Sequence, residues 1–451
     1  MLNAIWILMI VGALICGALT GRLGEVSIAS TEAAKTAVML VVGLVGVMAF
    51  WLGLMRVLQR GGLLSRFARL LRPLTRRLFP DVPPEHPAMS MMIMNIVANM
   101  LGLGNAATPF GLKAMVELDK LNRHKGVASN SMVLFLAINT SNLALLPTGM
   151  IALRSSLGSE EPGSFILASI VATGLSTCVA ILSAKLLQRL PVFRIKQAAD
   201  ETAGDAAAEA ADEEAADAGL DVSEAQALFD AQPERPSAWV RLTGWLLVIG
   251  TLAAVGYALV LQADRPGPGG QDQGWAEALG TAITQWPLAL LIAGFVLYGL
   301  IRGVKVFDAV VEGGREAFQF VVRFVPYFIV LMVGIGMLRA SGAVELLVEA
   351  LQPATSLVGM PAESLPMALM RPLSGKGAFG MAAEIMKVHG PDSLIGQIVS
   401  TMQGSTETTF YVLALYFGVV GIRRTRHTVP ACLIADLTGV LAAVWACRLL
   451  I

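Results

Sequence analysis

Apolar residues run along this chain in blocks close to the roughly 20 residues that a helix needs to cross a bilayer. The blocks fall at 2–20, 33–59, 127–153, 164–188, 238–262, 281–301, 316–340, 391–421 and 428–449. Each is expected to span the membrane as a helix. Two further segments, 87–122 and 361–388, are apolar but interrupted by glycines and polar residues. The first contains MLGLGNAATPFGLKAM (100–115), where the apolar run halts at glycine, passes Asn105, Thr108 and Pro109, and restarts. Both segments are expected to be re-entrant helical hairpins, because non-helical backbone at membrane depth is tolerated only where protein buries it or a cavity meets it.

Basic residues orient these blocks. Arg60, Arg66, Arg69, Arg72, Arg76 and Arg77 follow the second block, and Lys185, Arg189, Arg194 and Lys196 follow the fourth. Arg302 and Lys305 follow the sixth, and Arg423, Arg424 and Arg426 separate the last two. Lys120, Arg123 and Lys125 end the first hairpin. The loops at 155–164, 262–277 and 343–359 are poor in Lys and Arg. The positive-inside rule therefore places the basic loops in the cytoplasm and accepts nine crossings with two hairpins. A first hairpin that crossed twice would leave the same pattern, so charge does not decide that point.

The two halves of the chain repeat one another. Residues 32–73 match 315–353: a spanning helix, a glycine, and a short amphipathic helix ending in proline. The amphipathic faces of 63–71 and 344–351 suit helices lying in the interface. An interrupted segment follows in each half, GLGNAATPFGLKAM against RPLSGKGAFGMAAEIM. Next comes a span with a polar break, NTSNLALLPTG (139–149) against GSTETTFYVLALYFG (404–418), and then a plain span. Five crossings separate the starts of the repeats, and an odd number inverts the second copy. The expected fold class is therefore all-α: a polytopic membrane protein of two inverted-topology repeats, each with a re-entrant hairpin and a broken transmembrane helix. Interrupted helices at matching positions mark the binding site in many secondary transporters.

A half-helix that starts inside the membrane presents free N–H groups and the positive end of its dipole. Asn105 or Thr108 can cap such a start, and Pro109 suits a first turn. The candidate substrate-binding residues are Asn105, Thr108, Asn139, Thr140, Ser141 and Asn142 in the first half, with Ser374, Lys376, Ser405, Thr406, Glu407 and Thr408 in the second. Thr148 and Thr409 border the same breaks. Amides and hydroxyls both donate and accept, as a polar solute requires; single Ser and Thr residues also serve as glue between membrane helices. Lys376 and Glu407 are charges at membrane depth, which are usually paired and functional. They are expected either to pair across the pocket or to leave Glu407 as carrier of a coupling proton or sodium ion. Arg371 can cap a helix C-terminus, and Asp436 can hydrogen-bond a neighbouring helix. Lys113, Glu117, Lys120, Glu384 and Lys387 lie on hairpin arms and are expected to be solvated.

Composition supports this reading. Of 451 residues 55% are hydrophobic and 15% charged, against roughly a quarter charged in soluble domains. The formal net charge is zero, which gives no reason to expect nucleic acid as a partner. Cys16, Cys178, Cys432 and Cys447 are scattered through apolar runs, so neither disulfide nor metal site is expected. His86, His124, His389 and His427 fall near expected helix ends as interfacial polar residues. The first block has no basic flank and no A-x-A site, so it reads as a helix rather than a signal peptide. Between Asp200 and Asp230 stand eleven Asp or Glu and no Lys or Arg, the composition of a solvated cytoplasmic linker. The expected division is 1–190, a linker over 191–236, and 237–451. No GxSxG, HExxH, P-loop or CxxC motif is present, so no enzyme activity is expected.

Two sets of long motifs carry a resemblance. FWLGLMRVLQRGGLL, LFPDVPPEHPAM, NIVANMLGLGNAATPFGLKAM and LFLAINTSNLALLPT resemble the bacterial spore maturation protein A family. VPYFIVLMVGIGMLRASGAVELL, LPMALMRPLSGKGAFGMAAEIM and STMQGSTETTFYVLALYFG resemble the B family. Both families belong to the nucleoside-recognition or gate domain superfamily, so the chain looks like an A–B fusion around an acidic insert. The resemblance implies an inner-membrane protein with a core like that of concentrative nucleoside transporters. The function it favours is a permease for a small polar solute, bound near the membrane midplane and coupled to no cofactor beyond a candidate Na+ or H+. The alternative is a non-transporting scaffold or regulator of cell-envelope processes. Expected partners are the lipid bilayer, the solute, and a second copy or an envelope protein.

Overall fold

A computed structural model of the protein describes residues 2–102, 104–141, 143–193, 236–264 and 274–450. The acidic linker expected at 191–236 lies, apart from its ends, outside the described residues. The first half comprises α1 (Leu2–Thr20), α2 (Leu23–Arg60), α3 (Leu63–Leu78), α4 (Pro87–Met100), α5 (Gly104–Leu121), α6 (Asn130–Ser141), α7 (Thr148–Ser156) and α8 (Ile166–Leu187). The second comprises α9 (Ala238–Ala263), α10 (Gly274–Gln285), α11 (Pro287–Ile301), α12 (Val306–Ala340), α13 (Ala343–Leu357), α14 (Leu365–Met370), α15 (Gly375–His389), α16 (Leu394–Ser405), α17 (Thr409–Gly418) and α18 (Thr428–Leu450).

Helices fill the expected blocks. α2 and α12 start earlier than their apolar stretches, at Leu23 and Val306. Hydropathy marks only what lipid can hold, whereas polar but helix-forming residues such as STEAAK carry the helix further. α9 shows the same chemistry from outside: Trp239, Leu242, Trp245 and Leu252 are exposed, as befits a lipid-facing surface. These helices make a multi-pass membrane protein. The blocks at 127–153, 281–301 and 391–421 are broken, α6 from α7, α10 from α11 at Trp286 before Pro287, and α16 from α17. The first interrupted segment folds back on itself, and the second is broken between Met370 and Gly375. Asn95 Nδ2 on α4 donates to Ala107 O on α5 at 2.8 Å, which a continuous rod would forbid.

After α2 and α12 the chain turns through glycines with φ +73° (Gly62) and +82° (Gly342). The left-handed region is open to glycine without steric cost, so both halves use the same corner to enter α3 and α13. These two helices do not stop at proline as expected; Pro73 and Pro353 lie inside them. A proline removes one backbone hydrogen bond, and one lost bond does not end either helix.

Matching elements of the halves pack antiparallel. Along α2 and α12 the contacts run in opposite chain order. A Cβ on Gly336 would meet Ala33 Cβ at 2.8 Å, one on Gly314 Ala49 O at 3.4 Å, and one on Gly53 Val310 O at 2.5 Å. Glycine lets the two backbones approach this closely, as small residues do between membrane helices. At one end of this pair Glu312 accepts from Arg56 at 2.7 Å and pairs with Arg60. α8 and α18 run opposite as well: Ser176 Oγ donates to Ala435 O at 2.9 Å and Ser183 Oγ to Ala431 O at 3.3 Å.

The broken helices follow the same rule. At one end Ala128 N, just before α6, donates to Arg424 O after α17 at 3.0 Å. At the other, Arg154 near the end of α7 reaches the residues that precede α16. Its Nη2 lies 2.8 Å from Asp392 Oδ1 and 3.1 Å from Ser164 Oγ, and its Nη1 2.5 Å from Pro391 O. The Arg154 side chain is fully buried, so this charge is retained only because it is paired and hydrogen-bonded.

Two substitutions test this packing. Gly53→Ala has no room beside the Val310 backbone and is expected to cost about 1–3 kcal/mol as overpacking. Gly46→Ala on the same helix meets open space and gains helix propensity, so it should not lower the unfolding midpoint in detergent. Arg154→Met takes a donor from the Pro391 and Glu161 carbonyls, while Asp392 keeps Ser159 Oγ and Glu160 N; it is expected to cost about 1–3 kcal/mol, read as a lowered midpoint by the same measurement.

Candidate functional site

α6 and α16 both stop inside the bundle, and their last carbonyls lack intrahelical donors. The chain after α16 turns extended at Thr406, with φ −143° and ψ +162°. This turns the Glu407 amide toward α6, where it donates to Thr140 O at 2.7 Å. The two breaks therefore touch, and one supplies the donor that the other lacks.

Each hairpin docks on the break of its own half. In the first, Leu145 N donates to Met100 O at 2.9 Å. The tip glycine, Gly102, has φ +71°, and a Cβ there would lie 2.4 Å from Leu146 O. In the second, Phe410 N donates to Pro372 O at 3.1 Å. A Cβ on Gly375 would lie 2.6 Å from Thr408 Oγ1. Glycine stands at both contacts because nothing larger fits.

An amide relay crosses the first half. Asn99 Nδ2 donates to Asn139 Oδ1 at 2.9 Å, and Asn139 Nδ2 to Asn95 Oδ1 at 2.8 Å. Asn95 in turn donates to Ala107 O and, at 3.3 Å, to Tyr416 Oη on α17. Tyr416 belongs to the second half, so the relay bridges the halves. Asn95 and Asn99 stand four apart in MMIMNIVANM, a spacing that places both on one helix face; that signal was present in the sequence.

In the second half the central charge is Arg371. It is buried, and its Nη2 donates to Gln403 O at 3.1 Å and to Thr406 O, while Nη1 reaches Thr408 Oγ1 at 3.4 Å. It thus caps the C-terminus of α16, as a cation there should. Glu407 pairs with Arg371 at 3.9 Å. Arg371 thus joins Lys376 as a cation at this break, one not expected as the partner of Glu407. Ser374 caps α15 by accepting from Gly377 N at 3.0 Å, and Gly375 faces Thr408. Successive helical residues are rotated by about 100°, which turns Lys376 from the direction of Gly375. Its Nζ lies 3.8 Å from the centroid of the Tyr327 ring, a cation–π geometry. Deeper in, Thr409 Oγ1 donates to Asp436 Oδ2 at 2.6 Å.

The remaining candidates divide. Thr140, Ser141, Ser405 and Thr406 are buried and donate to carbonyls of their own helices; Ser141 Oγ also reaches Thr177 Oγ1 at 3.1 Å. Ser405 Oγ also reaches Gly439 O at 3.3 Å, so Ser141 and Ser405 tie their helices to α8 and α18. Thr108 and Glu407 are partly accessible. The side chain of Asn105, and Asn142 entirely, lie outside the described residues. α5 starts at Gly104, so neither Asn105 nor Thr108 precedes it as a cap, and Pro109 falls in its second turn. A cavity of about 250 Å³ lies away from the breaks, between α2, α12 and α15, lined by Glu32, Arg339, Glu384 and Lys387. There Arg339 Nη1 donates to Glu384 Oε1 at 2.7 Å. Among the described residues no group of three or more His, Cys, Asp or Glu could hold a metal ion.

Comparison with known proteins fits this architecture. The sequence model of the Gate family, described as nucleoside recognition, matches residues 41–190 and 321–423. The chain is 45% identical over 182 residues to spore maturation protein A of Bacillus subtilis, spanning 93% of that protein and 40% of this chain. It is 45% identical over 157 residues to spore maturation protein B of the same organism, spanning 88% of that protein and 35% of this chain. The two similarities fall on different parts of the chain, so A-like and B-like parts share one polypeptide. No solved structure matches. The two Gate segments bracket the hairpins and breaks described above, and this chain belongs to the nucleoside-recognition Gate family.

Proposed function

We propose that this protein is a permease of the bacterial cytoplasmic membrane that binds a small polar solute near the midplane, where two re-entrant hairpins meet two broken helices. The observation that carries this reading is the meeting of the breaks, with Glu407 N on Thr140 O at 2.7 Å and a hairpin docked on each side. Helices stop at depth only where protein or a cavity satisfies the freed groups, and such paired breaks are where secondary transporters bind. Antiparallel packing of α2 with α12, of α8 with α18, and of the two broken helices supports an inverted repeat.

The proposed wall comprises Asn99, Thr108 and Asn139 from the first half and Glu407 and Thr408 from the second. Asn105, Asn142, Ser374 and Lys376 flank it. Carboxamides offer a donor and an acceptor side by side, which suits the edge of a nucleobase or the hydroxyls of a ribose. The family description therefore puts nucleosides first among solutes to test.

Purified protein in liposomes should take up one class from a panel of nucleosides, amino acids, organic acids and inorganic ions. Loss of a hydrogen bond to a charged group costs about 1.5–3 kcal/mol, so Glu407→Gln is expected to lower uptake at least about tenfold. Lys376→Ala should lower it in the same direction, and Thr243→Ala on the lipid-facing α9 should not. A panel in which nothing is bound or moved refutes the reading.

A further inference from the structure

Three ionisable side chains gather at the second break: Arg371, Glu407 and Asp436. Arg371 lies 3.9 Å from Glu407 and touches Thr408, whose chain neighbour Thr409 donates to Asp436. With all three ionised the cluster holds one positive and two negative charges, a net charge of −1 inside the membrane. A charge there is costly unless paired. The two carboxylates are not equivalent. The Glu407 side chain is 40% accessible and pairs with Arg371. Asp436 is 4% exposed. Its Oδ2 accepts from Thr409, but its Oδ1 is buried with no hydrogen-bond partner among the described residues. A buried carboxylate oxygen with no donor is far more costly than a neutral carboxyl in the same place.

Other titratable groups near Asp436 do not supply the missing charge. Cys432 lies one turn earlier on its own helix and is buried. Cys178 on the neighbouring α8 is exposed, and Tyr416 on α17 is engaged with Asn95. α6 brings only amides and hydroxyls. A metal cation is a poor occupant. Sodium needs several oxygens, and the carbonyls at the end of α16, Gln403 O and Thr406 O, already accept from the Arg371 guanidinium.

We propose that Asp436 is a proton-binding site, protonated on Oδ1, and that Arg371 links its state to the break through Glu407. The inference rests on the permease reading for its purpose, since it names the coupling ion as H+, but the site itself does not depend on transport. A proton from water adds to Oδ1 and makes the cluster neutral, leaving Arg371 to pair with Glu407 alone. Loss of the proton gives Arg371 two carboxylates to serve. Because Arg371 also caps α16, its displacement alters the contact between the breaks. Glu407, at the accessible end of the cluster, stands where a proton would enter.

The test is infrared titration of the full chain in lipid vesicles, following the carbonyl stretch of protonated carboxyl groups. Wild type should show such a band at neutral pH. The band should be lost in Asp436→Asn and retained in Glu407→Gln. Thr409→Ala keeps the carboxyl group but removes a donor to it, so its band should persist at higher wavenumber; this variant stands in if Asp436→Asn does not fold. Replacing choline by sodium should leave the band unchanged. A band unaffected by Asp436→Asn, no band in wild type, or a band abolished by sodium overturns the proposal. A dye reporting internal pH separates the two readings. If the band behaves as expected but no solute drives proton movement, the permease reading fails and the proton site stands.

Discussion

Peptide groups freed where a helix stops in an apolar medium must find partners within the protein. Every feature at the centre of this molecule answers that demand. The ends of α6 and α16 leave carbonyls exposed at depth, each worth about 1–3 kcal/mol if left unmade. Thr140 O receives the Glu407 amide. Gln403 O and Thr406 O receive a guanidinium. The hairpin tips close the remaining sides, with Met100 O and Pro372 O taking amides from the chain beyond the breaks. Remove any of these and a polar group is left facing hydrocarbon.

Near-equivalence of the halves follows from this constraint. Both turn through a left-handed glycine after the long helix, both dock a hairpin on a break, and both bring a glycine to the closest approach. They differ in the chemistry placed there. The first half uses neutral amides, Asn95, Asn99 and Asn139, in a relay that reaches Tyr416. The second uses Arg371, Glu407 and Asp436. One half thus offers hydrogen-bonding groups suited to an uncharged polar solute, and the other offers groups whose charge can change.

Outside this centre the molecule is held by contacts between halves that are distant in sequence. The α2–α12 pair is closed by small residues at its crossing points and by Glu312 against Arg56 at one end. Arg154 ties the end of one broken helix to the start of the other. These contacts tie each break to the opposite half.

Much of the architecture was legible in the sequence. Blocks of apolar residues reveal membrane helices because bilayer thickness fixes their length. Glycines and polar residues inside 87–122 and 361–388 reveal broken segments because lipid punishes open backbone. The parity of crossings is the expectation with which the antiparallel packing of α2 on α12 agrees. The extra turns of α2 and α12 were not legible, since polar residues that continue a helix outside the apolar zone leave no hydropathic mark. Nor could spacing reveal that α3 and α13 run through their prolines. The charge pairing needed three dimensions. Sequence distance put Lys376 and Glu407 in one site, but it did not reveal that Arg371 pairs with Glu407 or that Lys376 lies over Tyr327. Local periodicity is written along the chain because each residue meets its near neighbours and the solvent around it. Which buried charge faces which is decided only when elements hundreds of residues apart are packed together, because an ion pair depends on ångströms that no spacing encodes.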